Sequence, residues 1–382
     1  MANYDYEIVN GRKIRVRPKE TVSEIDKNGY FRRQPNHFTT PFGDGENDLK
    51  AEGNKRYRLV WAKLCHWSNR AAIVRELEGL EDQISVNMVE HAPHGKNLGW
   101  EYVYNENNID PVLGDQFLSE AYYRADDDYQ GRTTVPALID TTTGKVVNND
   151  YNWLTTYFEV NFRPWHKKGA PELYPVELRE EIDKMNLWLF DNINNAVYRS
   201  SFSRSNEGHF DGVNTFYAAM DRLEKRLETN RFLFGDYVTD SDIRLYVTLA
   251  RLDIRYTAQL GETKRPLYTY KNLWGYAKEL WEIPAFAHHT DFAAIIRQGR
   301  IEGEEDGFRA STHYDLALPK IDWDAQWKVS TERAYLSSDP THPIYLGNNR
   351  RFDIDPTWYD LGAESPKKEE KETPPSCGCC CG

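Results

Sequence analysis

The stretch KRYRLVWAKLCHWSNRAAIVRELEGL, residues 55–80, changes its hydrophobic period partway along, and that change constrains the fold more than any other feature. In its first half Tyr57, Leu59 and Trp61 alternate with Arg58, Val60 and Ala62, the two-residue period of a strand. From Trp67 the period lengthens. Trp67, Ala71, Val74 and Leu77 recur at helical spacing, and Gly79 ends the run. At the joint sits Cys65, the only cysteine before Cys377 in a chain of 382 residues.

Further along, QISVNMVE reads as a second strand, followed by a loop rich in Asn and Asp. RTTVPALID and TTTGKVVNND read as two hairpin strands joined by a turn at Gly144, and YNWLTTYF as a helix. The order β-α-β, loop, β-β-α makes a compact α/β unit with a mixed sheet. FRPWHKKGAPELYP is a proline-punctuated linker, and beyond it long amphipathic stretches run to about residue 300, an all-helical second domain. The expected organisation is an N-terminal arm over residues 1–52, an α/β domain over 53–165 and a helical domain over 166–305. An irregular extension follows over 306–362, then a low-complexity tail over 363–382.

Net charge is −12, which argues against general affinity for nucleic acid or anionic membranes. No apolar run approaches the ~20 residues of a membrane span, and MANYDYEIVNGRKIRVRPKE lacks the apolar centre of a secretory signal. One body cysteine builds no disulfide framework, so a cytoplasmic protein is expected. No Gly-rich phosphate loop and no spaced ligand set for a metal is evident. The terminal SCGCCCG has neither matched cysteine pairs nor a prenylation box, and no role is read from it.

A cysteine at a helix start has two roles open to it. It is either a small buried apolar residue, as free cysteines commonly are, or a nucleophile. Unpaired N–H groups and the macrodipole at a helix N-terminus favour thiolate over thiol. Cys65-His66-Trp67-Ser68 is spaced like a thioredoxin-type C-x-x-C whose second sulfur has become a hydroxyl. A monothiol cannot resolve its own mixed disulfide, so its cycle needs an external thiol such as glutathione. Val135-Pro136 interrupts a strand-like run, either as an ordinary edge proline or as a cis step that exposes the Val135 backbone. In GDYVTDSDIRL, Thr239 and Asp242 form a capping pattern, with Val238 and Ile243 as its hydrophobic staple.

Taken in order, these features resemble a cytosolic glutathione transferase, and more closely its Xi class, the glutathionyl-hydroquinone reductases. The family's strand leading into C-P-W-A-H-R is matched by LCHWSNR, and its T-V-P by TTVPALIDTTTGKVVNND. INNAVYR, GDYVTDSDIRL, RLDIRY and YKNLWGYAKELW match further family motifs, and the resemblance spans roughly residues 30–300. It implies an α/β + all-α fold: a thioredoxin-like N-terminal domain with a mixed sheet and a helical glutathione-transferase domain. It also implies Cys65 as nucleophile, with Trp100, Arg132, Val135 and Asp150 on glutathione and Tyr198 and Tyr256 lining a hydroquinone pocket. Glutathione would be a co-substrate, no metal would be needed, quinol conjugates would be the partners, and two copies would form a homodimer. The phenols could hydrogen-bond a quinol oxygen, and an arginine fork suits a carboxylate, although Tyr256 also fits the apolar stripe of Leu245, Leu249 and Leu252.

The departures fall around the site. The family's proline after the nucleophile is His66, which would either stabilise the thiolate by charge or lie exposed; the small residue after the tryptophan is Ser68. The family's glutamate-serine pair is Asp150-Tyr151, which trades a hydroxyl for a ring. Two other activities are open: an omega-like thiol transferase or dehydroascorbate reductase, and a transferase-fold binding protein without catalysis.

Overall fold

The computed structural model describes residues 4–16, 23–91, 98–261, 265–296, 322–338 and 343. Most of the irregular extension and all of the cysteine-bearing tail lie outside these residues. The period change at residue 65 is real: strand β3 (Tyr57–Trp61) leads into helix α1 (His66–Leu77). Ahead of it the arm carries a hairpin, β1 (Tyr6–Val9) and β2 (Arg12–Arg15).

β4 (Ile84–Met88) pairs parallel with β3, while β7 (Ala137–Asp140) pairs antiparallel with β3 and with β8 (Lys145–Asn148). The sheet order is β4-β3-β7-β8, the mixed sheet expected. All five residues of β3 are buried, so its alternation separates two covered faces rather than core from solvent. Tyr57 and Leu59 enter one core with α1 and helix α3 (Leu154–Val160). Val60 and Ala62 enter the other with Cys65, Trp67 and helix α2 (Leu118–Ala125).

The Asn- and Asp-rich stretch expected to be a loop contains α2 and a short pair of strands, β5 (Glu90–His91) and β6 (Trp100–Glu101). α2 has only eight residues, too few for helical periodicity to declare itself. Its start is fixed by Glu120, whose carboxylate accepts the N–H groups of Gln116 at 2.7 Å and Phe117 at 3.0 Å.

The second domain is helical. α4 (Arg179–Leu189), α5 (Ala196–Phe202), α6 (Asn206–Arg226) and α7 (Asp240–Arg251) form its body, with α8 (Thr257–Gln259), α9 (Lys271–Trp281) and α10 (Pro284–His288) beyond. A π-turn, Phe190–Asn194, joins α4 to α5, and a second, Leu252–Tyr256, follows α7. The capping pattern at Thr239 is present and more heavily used than its spacing implied. The Asp242 carboxylate accepts Thr239 N–H at 2.8 Å, Thr239 hydroxyl at 2.9 Å, Leu233 N–H at 2.9 Å and Tyr276 hydroxyl at 2.8 Å. Val238 and Ile243, the staple pair, are both buried. The described part of the C-terminal extension adds α11 (Trp323–Trp327), whose Trp327 packs on Tyr246 and Trp274.

Candidate active site

Cys65 is the residue just before the first turn of α1, with φ −83° and ψ 118°, so the unpaired N–H groups of that turn open beside its sulfur. The thiol is free and buried. It points at the Val135 carbonyl, 3.7 Å away, and the Val135-Pro136 bond is cis.

The turn that carries Cys65 is pinned from the helical domain by Arg251, at the end of α7. Its guanidinium donates to Leu64 O at 2.8 Å, Lys63 O at 2.9 Å, Asn69 Oδ1 at 3.2 Å and Val247 O at 2.8 Å. The side chain is fully buried. Burial lowers its pKa, and Tyr256 and Cys65 beside it favour its charged form. A fixed positive group therefore stands behind the sulfur.

Across from the sulfur lie the two tyrosines, each placed by a π-turn. Tyr198 follows the first on α5, and Tyr256 closes the second. Tyr256 is buried in the same apolar core as Leu245, Leu249 and Leu252, as its spacing implied, and its hydroxyl makes the polar contacts. Its hydroxyl meets His66 Nδ1 at 3.2 Å and hydrogen-bonds Tyr198. Burial raises both phenol pKa values, with Cys65 the next cause for Tyr198 and Tyr198 the next for Tyr256. Both phenols hold their protons at neutral pH and can donate.

His66 is neither exposed nor charged, contrary to both readings of its sequence position. It is 1% exposed, and its Nδ1 lies 3.1 Å from Thr248 Oγ1, itself held by Asn194 at 2.7 Å. Burial, then the guanidinium groups of Arg251, Arg33, Arg70 and Arg255, push its pKa well below the ordinary histidine value. A neutral imidazole offers no charge to the thiolate. It buttresses Tyr256 instead. Ser68 does not face the sulfur either, because its hydroxyl accepts Ala62 N–H at 3.1 Å and donates back to Ala62 O at 3.2 Å.

The residues expected on glutathione flank this centre. Trp100, on β6, donates its indole N–H to Thr133 O at 3.1 Å and stacks on His91 at 4.1 Å. Arg132 lies three residues before Val135, and its fork is taken by Glu24 of the arm, with both bonds at 2.8 Å. Asp150 accepts Asn36 Nδ2 at 2.9 Å and Asn152 N–H at 3.0 Å. Tyr151 lies against Trp67, ring centroids 4.7 Å apart, and stacks on Phe190 at 6.0 Å. Its turn is tied to α7 by Arg244, which donates to Asn152 O at 2.7 Å.

A family model described as "Glutathione S-transferase, C-terminal domain" matches residues 197–279. "Glutathione S-transferase omega-like 2" of Schizosaccharomyces pombe is 35% identical over 281 residues, which cover 70% of this chain and 88% of that protein. "Glutathionyl-hydroquinone reductase YqjG" of Escherichia coli is 34% identical over 245 residues, 63% of this chain and 73% of that one. Among solved structures, the glutathione-S-transferase Xi from Phanerochaete chrysosporium superposes with a TM-score of 0.64 at 34% identity, covering 71% of this chain and 87% of that chain. The chain belongs to the Xi class of glutathione transferases, an enzyme family.

Two features of this Xi transferase were absent from the sequence reading of its site. Arg251 appeared only as the first letter of RLDIRY, whereas its side chain holds the loop before Cys65. Arg33, in the arm, lies 4.7 Å from the Trp67 ring and 4.4 Å from the Tyr198 ring, with its Nε on Asn195 Oδ1 at 2.8 Å. One of its terminal nitrogens is buried without a hydrogen-bond partner among the described residues. No local pattern marks either residue, since both act through contacts distant in sequence. Among the described residues no group of His, Cys, Asp or Glu side chains is placed to hold a metal ion, and no helix is long and apolar enough to cross a membrane.

Proposed function

We propose that this protein reduces glutathionyl-hydroquinones through Cys65. The Cys65 thiolate attacks the sulfur of the conjugate; a sulfur–sulfur bond to Cys65 forms as the sulfur–aromatic carbon bond breaks. The bonding pair leaves on the carbon, which takes a proton, and the product is free hydroquinone. Tyr198 supplies that proton, with Tyr256 hydrogen-bonded behind it. A glutathione thiolate then attacks the mixed disulfide, releasing glutathione disulfide and regenerating Cys65.

The observation that carries this reading is the placement of Cys65 at the start of α1, within the buried cluster against which Tyr198 packs. The names of the bacterial relatives support the substrate class. Arg132, Val135, Trp100 and Asp150 would hold the tripeptide, through Arg132 to a carboxylate and the Val135 backbone to the cysteinyl part. A cytoplasmic homodimer accompanies the proposal, on the strength of the family resemblance. Light scattering that returned a monomer mass would remove the dimer without touching the chemistry.

Replacing Cys65 by Ala is expected to abolish hydroquinone release from glutathionyl-hydroquinone with glutathione present. Retained turnover would refute the mechanism. A second reading is an omega-like activity, thiol transfer on small disulfides or dehydroascorbate, equally dependent on Cys65; the relative in fission yeast is named a glutathione S-transferase omega-like protein. Comparing kcat/KM for the two substrate types decides which predominates. Absence of any glutathione binding by calorimetry would leave the non-catalytic reading.

A further inference from the structure

The arm places a carboxylate on the arginine assigned to glutathione. Glu24 Oε2 accepts Arg132 Nε and Oε1 accepts the terminal guanidinium nitrogen, each at 2.8 Å. This is the side-on bidentate geometry that a free carboxylate would take on the same fork. Gln34 completes the contact from the same segment. Its Oε1 accepts Arg132 N–H at 2.8 Å, its Nε2 donates to Arg132 O at 3.2 Å, and its own N–H donates to Glu24 Oε1 at 2.7 Å.

Glu24 is presented by a tight hairpin rather than by a loose strand. Arg32 N–H donates to Glu24 O, Ile25 pairs with Phe31, and Asp26 Oδ1 accepts the N–H groups of Asn28 at 2.9 Å and Tyr30 at 3.0 Å. Gly29 turns the tip at φ +80°, and a Cβ there would meet Ser205 at 2.9 Å. The tip docks on the helical domain, where Arg204 N–H donates to Gly29 O at 2.6 Å and Phe31 N–H to Ser203 Oγ at 3.1 Å. The hairpin is thus seated on one domain while its glutamate reaches the other. Two residues past Gln34, Asn36 occupies Asp150, the second assigned anchor, at 2.9 Å.

We propose that Glu24 is an internal ligand of the Arg132 subsite and sets the affinity of the enzyme for its thiol. The inference rests on the assignment of Arg132 to a glutathione carboxylate made above. A glutathione carboxylate reaches that fork only when Glu24 leaves it, so apparent affinity is the intrinsic affinity scaled by the fraction of molecules with Arg132 open. Burial alone would raise the Glu24 pKa, but the hydrogen bonds and charge of Arg132 outweigh it and hold the pKa below the usual carboxylate range. The competitor is therefore ionised wherever the thiol is reactive.

The test is a calorimetric titration of the full chain with glutathione, for the wild type, Glu24→Gln and Glu24→Asp, with thermal midpoints recorded alongside. Both substitutions weaken the bidentate grip, one by removing charge and the other by shortening the side chain. The expected result is a glutathione Kd lowered roughly three- to thirtyfold. An unchanged or raised Kd in the folded variants overturns the proposal, because a glutamate that merely orients Arg132 would weaken binding when lost. Should Glu24→Gln not fold, Glu24→Asp keeps the hairpin's charge and carries the same expectation. Arg132→Ala, made in wild-type and Glu24→Gln backgrounds, separates the two layers. If it leaves Kd unchanged in both, the glutathione assignment of Arg132 fails. If it weakens binding while Glu24→Gln does not tighten it, only the role of Glu24 fails.

Discussion

The turn at Cys65 and the rim at Arg132 and Asp150 lie in one domain, yet they are held in opposite ways. The turn is fixed by groups with little freedom to leave: Arg251 is fully buried and spends its guanidinium on Leu64, Lys63 and Asn69. The rim is held by partly exposed arm side chains, Glu24 and Asn36, whose partners a ligand could take over. Bond-making atoms are held by contacts that cost several kcal/mol to break, whereas ligand-holding groups are left on displaceable contacts, so binding tunes without disturbing the chemistry.

Arg251→Met breaks that contrast hardest. It strands the Leu64 and Lys63 carbonyls in the interior, and a stability loss of about 3–5 kcal/mol is expected from chemical denaturation. A loss no larger than that of a surface substitution would mean the turn is not held by Arg251. Next in size, Tyr198→Phe should cut kcat by about 10- to 100-fold with KM little changed, and Tyr256→Phe by less, because Tyr256 acts through its neighbour. A raised KM with kcat unchanged would assign the phenols to binding alone.

The smallest expected effect concerns His66. Its folded pKa lies below the unfolded value of about 6.5, so the unfolded chain takes up the proton first on acidification. Stability from this group is present above pH ~6.5 and is lost as pH falls toward the folded pKa. His66→Asn should flatten the dependence of thermal midpoint on pH between about 6.5 and 5. An unchanged profile would show that His66 titrates normally and is not enclosed by the Tyr256–Thr248 contact.

What could be read from the sequence follows from the range of the forces involved. The β3–α1 joint announced itself because a change of period is local, and the Asp242 cap because its partners are three residues apart. Tyr256 was legible from spacing as a core residue, but the contact of its hydroxyl with His66, 190 residues away, was not. His66 looked like a surface or charged residue because its enclosing partners, Thr248 and Tyr256, arrive from the other domain. Glu24 and Arg132 are 108 residues apart, and nothing in either neighbourhood pairs them. The assigned thiol site was thus readable where it is built from one segment and opaque where the arm closes over it.

The most direct test of the central claim is intact-protein and peptide mass spectrometry after a single turnover with glutathionyl-hydroquinone and no added glutathione. The expected result is one glutathionyl group on the peptide carrying Cys65, released on addition of glutathione, with one equivalent of hydroquinone formed beforehand. Hydroquinone formed with Cys65 unmodified would contradict it.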